Sequence, residues 1–234
     1  MPNKASFTGF SKETVSFFTG LRKNNSKQWF DAHREQYEEQ VKAPARDFVV
    51  TLGQKLQAVA PHVVADPRVN KSLFRINRDM RFSKDNSPYK THMGLWLWEG
   101  PAGTRMENSG FYFHLEPPRI MVGVGIYCFP TPMLKAYRQD VVHPVHGEAL
   151  AGAIKAVDRQ GMAIGGEHYK RVPRGFDPDH RNADYLRFNG MYAGTEMKIP
   201  AEFFTAKLVN LCVKQYKKAM PLHQWLLAFT ERHH

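Results

Sequence analysis

The sequence predicts an α+β protein, an antiparallel β-meander packed by N-terminal and C-terminal helices. Residues 11–60 carry apolar side chains at helical spacing, residues 69–129 alternate as strands do, and the remainder returns mainly to helical patterns. Because strands and helices do not alternate one by one, a doubly wound sheet is not expected. A chain of 234 residues, 42% of them hydrophobic, can bury a sizeable core, so we expect a single domain over residues 1–234.

The N-terminal section is predicted to form three helices. Ser11 and Ser26 suit the caps of the first two, because a serine hydroxyl accepts a hydrogen bond from a free N–H of the first turn. Pro44 fits the first turn of the third helix, and Pro61 is expected to end it. The supporting apolar positions are Val15, Phe18 and Leu21, then Trp29, Phe30 and Tyr37, then Phe48, Leu52, Leu56 and Val59.

The middle section is predicted to form three consecutive strands at His92–Trp98, Gly110–Glu116 and Arg119–Cys128. Each strand is rich in aromatic and branched residues. The breaks between them, Glu99–Gly103 and Pro117–Pro118, are short and consist of turn residues. Short breaks of this kind predict antiparallel neighbours in a meander.

Alternation within these strands predicts two different faces of the sheet. One face is expected to be a plain apolar core packed by the N-terminal helices, and the other mixes aromatic residues, histidines and glycines. Gly123 and Gly125 are expected to permit close backbone packing, because a dinucleotide-binding loop would not lie within a strand. The apolar set is Met93, Leu95, Leu97, Phe111, Phe113, Leu115, Ile120, Val122, Val124 and Ile126, and the mixed set includes His92, Gly94, Trp96, Trp98, Tyr112, His114 and Tyr127.

The last section is predicted to contain helices and one more strand. Thr131 and Pro132 are typical of a helix start. A helix is expected at Gly147–Arg159 and a strand at Tyr185–Tyr192. The closing helices are predicted at Ala201–Ala219 and Leu222–Phe229, with a break at Pro221.

The charge and cysteine content limit the function classes. Lysine and arginine number 33 against 22 acids, giving a net charge of +11, which favours nucleic acid or small anions as partners. The basic residues are scattered, which is typical of a solvated surface. With only Cys128 and Cys212, no signal-peptide core and no apolar run of about 20 residues, we expect a soluble cytoplasmic protein without a membrane partner. The sequence does not indicate the oligomeric state.

The densest charged segment spans Arg75–Lys90. Three arginines within seven residues present planar forks of N–H donors, which match phosphate and carboxylate oxygens. Asp79 and Asp85 offer the alternative of a loop pinned by internal ion pairs. Because the cations outnumber these acids, at least one guanidinium is expected to face an open pocket near Tyr112 or His114. The ligand-binding residues predicted on these grounds are Arg75, Arg78, Arg81, Asp85, Tyr89, Lys90 and Tyr112.

This segment resembles the hallmark of an uncharacterised, mostly bacterial family of about this length, catalogued as a domain of unknown function. Members of that family carry R-x-x-R-D-x-R-F-x-x-[D/N]-K-x-x-Y. The lysine of the motif is Asn86 here, so Lys84 or Lys90 would have to supply that charge. The resemblance implies no known activity. The matching residues are Arg75, Arg78, Asp79, Arg81, Phe82, Asp85 and Tyr89.

A second segment, Lys170–His180, also resembles the family. Pro173 and Gly175 predict a turn that presents Arg171 and Arg174. These two arginines are predicted to form the far wall of the same anion site. The alternative is a rigid surface loop with ordinary ion pairs.

No cofactor and no metal site are predicted. Neither His143 and His146, which Pro144 keeps from forming a helical pair, nor Asp177, Asp179 and His180 supply three assured ligands. His114 is the better candidate for acid–base chemistry, since the ordinary imidazole pKa is near 6.5. Asp79 is the second candidate, although flanking arginines suit it better for orienting.

The leading functional hypothesis is therefore a pocket for a small anionic or phosphate-bearing ligand. As an enzyme, the protein would be a hydrolase or transferase with His114 or Asp79 carrying the proton. One alternative is a non-catalytic nucleic-acid-binding module that adds Lys207, Lys214, Lys217 and Lys218 to the arginines. The other is a protein-interaction module in which the arginine motif is purely structural.

Overall fold

The computed structural model of the protein describes residues 6–79, 86–101 and 104–233. Its elements confirm the α+β class. A π-helical turn, Glu38–Lys42, joins the third and fourth helices. The helices before the sheet are α1 (Lys12–Lys23), α2 (Lys27–Ala32), α3 (Arg34–Tyr37) and α4 (Ala43–Leu56).

The sheet and the remaining helices follow in the order that the sequence indicated, with one additional strand. In the described part of the chain, no helix combines the length and apolar character that crossing a membrane requires. The elements are β1 (Met93–Glu99), β2 (Ser109–Glu116), β3 (Arg119–Ile126), α5 (Thr131–Val142), α6 (Pro144–Asp158), β4 (Ala163–Glu167), β5 (Phe188–Lys198), α7 (Lys207–Lys218) and α8 (Met220–His233).

The caps predicted for the first two helices are confirmed. The Ser11 hydroxyl accepts from the Thr14 N–H, and the Ser26 hydroxyl accepts from the Trp29 N–H, so each serine satisfies a free donor of its first turn. Helix α4 ends at Leu56, earlier than predicted, and its last residues continue as a turn in which Ala60 N–H donates to the Leu56 carbonyl. Ala60 lies directly before Pro61, a position that is disfavoured in a helix, and it is no longer helical.

The sheet contains five antiparallel strands in the order β1-β2-β3-β5-β4, and the predicted meander is confirmed. Strand β4 pairs with β5, from Ala163 opposite Gly194 to Glu167 opposite Phe188. The sequence did not predict β4. The strand predicted at Tyr185–Tyr192 begins later, because Ala183–Arg187 forms a 3₁₀ turn, and it runs on to Lys198.

The chain divides into two compact units. The single domain expected over residues 1–234 stays a prediction. The first unit contains Met1–Leu97, Tyr112–Val122 and Glu196–Lys214, and the second contains Trp98–Phe111, Gly123–Thr195 and Gln215–His234.

An aromatic cluster forms the core of the first unit. The Phe113 ring lies 5.0 Å from the Phe48 ring of α4 and 6.2 Å from Phe10, which stacks on Phe203 at 4.9 Å. The predicted packing of the N-terminal helices against the apolar side of the strands is therefore confirmed in this unit.

The C-terminal helices pack the apolar strand residues of the second unit. The Phe111 ring lies 5.3 Å from Tyr216 of α7 and 4.7 Å from the His223 ring of α8. Gly125 has φ +142°, and a Cβ there would lie 2.3 Å from the Met191 carbonyl of β5. Close backbone packing thus explains this glycine, as the sequence indicated.

Candidate functional site

The half-buried side of β2 in the first unit carries the predicted histidine. Tyr112, His114 and Glu116 occupy alternate positions and therefore share one side of the strand. All three are half-buried, whereas the alternating residues between them are fully buried. The strand thus presents polar side chains on a solvent-accessible side while the core anchors its other side.

His114 is held at both ring nitrogens. Its Nδ1 lies 2.9 Å from the Tyr112 hydroxyl, and its Nε2 lies 3.5 Å from Oε2 of Glu116. The imidazole is 20% exposed. Tyr112 and His114 therefore lie close together, as predicted. Glu116 lies at the other nitrogen of the same ring.

Glu116 connects the strand to other parts of the first unit. Its Oε1 accepts from Nη2 of Arg22 at 3.1 Å and from the Thr91 hydroxyl at 3.4 Å. Its other oxygen, Oε2, is the one that faces His114. The carboxylate is thus fixed through one oxygen and faces the imidazole with the other.

A second imidazole, His92, completes the cluster. Its ring centroid lies 4.6 Å from that of His114. Burial and the charge of His114 lower the pKa of His92 to about 4, and Lys90 and Arg78 act in the same direction. Burial also lowers the pKa of His114, against the opposing effect of Glu116. Both imidazoles are therefore neutral at pH 7.

The same three residues could hold a metal ion. One ligand atom each from His92, His114 and Glu116 lie within 4.8 Å of one another. Two imidazoles and a carboxylate form a common ligand set for divalent transition metals. The cluster was not predicted from the sequence. Part of it could have been, because His114 and Glu116 are two residues apart on one strand and therefore share a side.

A cleft of about 220 Å³ opens beside His114 in the first unit. Arg119 lies in its wall, and its Nη1 contacts Oε1 of Glu196 at 2.7 Å. The arginine and glutamate side chains that line it are about half exposed. We call this feature the cleft. It is lined by Arg22, His114, Glu116, Pro117, Pro118, Arg119, Ile120, Met121 and Glu196.

The arginine-rich segment is described in part. Arg75 Nη2 lies 3.7 Å from Oδ2 of Asp79, so this pair takes the ion-pair alternative. Arg78 is anchored through its backbone N–H, which donates to the Pro88 carbonyl. The segment closes where Asn77 bridges to Tyr89. The predicted ligand residues Arg81 and Asp85 lie outside the described residues, as do Phe82 and Lys84.

Tyr89 and Lys90 lie at the end of this segment. Tyr89 is buried and stacks on Phe30 at 4.2 Å. Its backbone exchanges two hydrogen bonds with the Asn25 side chain, at 2.8 and 3.1 Å. The Lys90 ammonium lies 5.5 Å over the Phe74 ring, which contacts Tyr112 edge to face. A ligand contact by either residue stays a prediction.

Arg171 and Arg174 belong to the second unit, where both are exposed. Their role as part of the same anion site stays a prediction. Nearby, Asp177 accepts from the Asp179 N–H, and His180 Nδ1 accepts from the Asn182 N–H. These bonds give the segment the internal order of a structured loop.

The fold and the cluster define the class of protein. It is an α+β protein whose open antiparallel sheet carries a histidine–carboxylate cluster and an arginine-lined cleft. The family described as "Conserved hypothetical protein (DUF2461)" matches residues 13–225, so the chain belongs to that family. None of the curated proteins with which the sequence was compared matches it. The family predicted from the sequence is thus confirmed as one of unknown function, while its motif and bacterial source stay predictions.

Proposed function

We propose that the protein binds a small anionic or phosphate-bearing ligand in the cleft. The observation that carries the proposal is the pair of half-exposed guanidinium groups, Arg22 and Arg119, in the wall beside His114. Guanidinium is the side-chain group best matched to phosphate and carboxylate oxygens.

The two arginines retain donors for a ligand. Within the described part of the chain, Arg22 contacts Glu116 through Nη2 and Arg119 contacts Glu196 through Nη1. A guanidinium has five N–H donors, so most of them remain available on each side chain. Each glutamate binds one nitrogen of its arginine and thereby orients the guanidinium group.

Cationic side chains also lie near the cluster. Lys90 and Arg78 act to lower the pKa of His92, whereas Glu116 acts to raise it. Hydrolysis or group transfer is the reaction class that arginines beside imidazoles suit best. The proposed partner is therefore a phosphate-bearing or carboxylate-bearing small molecule.

Thermal unfolding with and without anions tests the proposal. Inorganic phosphate, nucleotides and dicarboxylates should be screened, and a ligand at about 100 times its Kd adds about 2.7 kcal/mol to the free energy of unfolding. Arg22→Lys and Arg119→Lys should each reduce this shift, because lysine keeps the charge but loses the fork. Arg68→Lys is the matched control, since Arg68 pairs with Asp66 at an exposed position of the same unit.

Two outcomes would overturn the proposal. One is a panel in which no anion stabilises the parent protein, and the other is an equal loss of the shift in Arg68→Lys. Stabilisation by DNA or RNA alone, abolished when Lys214, Lys217 and Lys218 lose their charge, would favour the nucleic-acid module instead. The variants Arg75→Lys, Arg78→Lys and Arg81→Lys belong in the same series, because they test the arginine-rich segment separately from the cleft.

A further inference from the structure

The histidine–carboxylate cluster has the spacing of a metal site. His114 Nε2 and Glu116 Oε2 are 3.5 Å apart. Two ligand atoms at bond lengths of about 2.0–2.2 Å around a tetrahedral ion are separated by about 3.4 Å. The ligand atom of His92 lies within 4.8 Å of the other two, so a small side-chain rotation brings all three to one ion.

In His114 and Glu116, the atoms that would not bind the ion already have partners. The Tyr112 hydroxyl lies 2.9 Å from His114 Nδ1, where it accepts the Nδ1–H in the tautomer that leaves the Nε2 lone pair exposed. Arg22 and Thr91 hold Oε1 of Glu116 and leave Oε2 turned to the histidine. Metal ligands in proteins are oriented by outer hydrogen bonds of this kind.

The charged side chains that line the cleft sum to zero, so the lining does not repel a cation. Arg22 and Arg119 contribute two positive charges to its lining, and Glu116 and Glu196 contribute two negative ones. A divalent ion beside His114 would make the lining net positive and offer a direct bond to a ligand oxygen. Three protein ligands leave at least one coordination position open for that oxygen or for water.

We infer that His92, His114 and Glu116 bind one divalent transition-metal ion, which takes an oxygen of the anionic ligand that the cleft holds. The ion site stands on its own geometry, whereas the identity of the fourth ligand rests on the proposed function. In this arrangement His114 is a metal ligand and not the proton carrier that the sequence indicated. Arg22 and Tyr112 are positioning residues, because they act through Glu116 and His114.

Metal titration of the chelator-treated full chain tests the inference. Co²⁺ and Zn²⁺ are the probes, followed by the visible spectrum of Co²⁺ and by calorimetry. We expect one site that is lost in His92→Ala, His114→Ala and Glu116→Gln, with affinity falling more than about 100-fold. Tyr112→Phe should retain the stoichiometry and weaken binding by about 10-fold to 100-fold, as outer partners of metal ligands do.

The exposed His168 provides the matched control. His168→Ala should bind as the parent does, and the C-terminal histidines give the same background in every sample. Should the alanine variants fail to fold, imidazole NMR of the parent protein during Zn²⁺ addition decides, because the His92 and His114 signals should shift together at one equivalent. A parent protein that binds no more metal than Glu116→Gln, or in which these two signals do not move, overturns the inference.

The two proposals fail in different ways. If an anion stabilises the metal-free and the metal-loaded protein equally, the proposed function stands. The inference that the ion binds an oxygen of the anion is then wrong. Metal binding without any anion effect would support the ion site and overturn the proposed function. Phosphate binding that requires Zn²⁺ and is lost in both His114→Ala and Arg119→Lys supports both.

Discussion

Two histidines of this protein have nearly the same partners but very different surroundings. His114 lies between a tyrosine hydroxyl and a glutamate on β2. His223 of α8 lies between the Ser109 hydroxyl, 2.8 Å from Nδ1, and the Glu99 carboxylate, 2.9 Å from Nε2. Both thus have a hydroxyl at one ring nitrogen and a carboxylate at the other. The side chain of His223 is fully buried, whereas His114 is 20% exposed beside the cleft.

The comparison shows that burial, not the set of partners, separates a scaffold from a site. Ser109, His223 and Glu99 have the residue types of a Ser-His-acid triad. Ser109 is fully buried, so no substrate can reach its hydroxyl, and the arrangement instead satisfies polar groups inside the core. The His114 cluster has looser distances, and it opens on a cleft with arginines.

The largest expected change in the free energy of unfolding is at the buried histidine, His223. His223→Ala should lower the free energy of unfolding by about 3–5 kcal/mol, because the buried Glu99 carboxylate loses its imidazole partner. His114→Ala should cost less than about 1 kcal/mol, since its surroundings admit water. Urea unfolding followed by circular dichroism measures both. An equal or larger cost for His114→Ala would show that the exposed cluster is also scaffold.

Asp140 is an intermediate case between the buried His223 and the partly exposed His114. It is a nearly buried carboxylate with histidines around it. It accepts hydrogen bonds from Arg232, His146 and His233. Burial alone would raise the pKa of Asp140, but these bonds outweigh it and lower the pKa. Asp140→Asn should therefore cost about 1.5–3 kcal/mol at neutral pH.

The pH dependence of that cost has a definite sign. A carboxyl whose folded pKa is lowered stabilises the protein above its unfolded pKa of about 3.9, and the contribution is lost as the pH falls through the folded pKa. The difference in unfolding free energy between parent and Asp140→Asn should therefore shrink as the pH falls below about 5. Asp184→Asn is the control, because Asp184 is 86% exposed beside Arg187. A difference that does not change with pH would contradict the assignment.

The smallest effect concerns the two hydroxyls. Ser109→Ala should cost about 1 kcal/mol more than Tyr112→Phe, because a buried imidazole nitrogen without its partner cannot turn to water. The same urea experiment measures the difference. A larger cost for Tyr112→Phe would reverse the contrast between the buried and the open histidine.

Much of the fold follows from local signals. The caps at Ser11 and Ser26 and the three alternating strands were predicted, because hydroxyl capping and side-chain alternation are properties of a few neighbouring residues. Strand β4 was missed, since its sequence Ala-Ile-Gly-Gly-Glu has two glycines and no alternation. Its pairing comes from β5, which supplies the register.

The candidate site was predicted in part for the same reason. Tyr112 and His114 are neighbours on one strand, so alternation predicted their proximity. Arg22 reaches Glu116 from a helix 94 residues earlier in the chain, and no local pattern contains such a contact. Glu116 itself could have been found, because it is the next residue of the same parity on β2.

The two bonds between Asn25 and Tyr89 have a consequence for the ageing of the protein. The amide of Asn25 imitates a neighbouring strand, donating to the Tyr89 carbonyl and accepting from its N–H. Asparagine is a thermolabile residue. Conversion of this amide to a carboxylate would replace the donor with an oxygen and set two acceptors against each other. In a sample stored warm, the end of the arginine-rich segment would therefore loosen, while the aromatic core of the first unit stays intact.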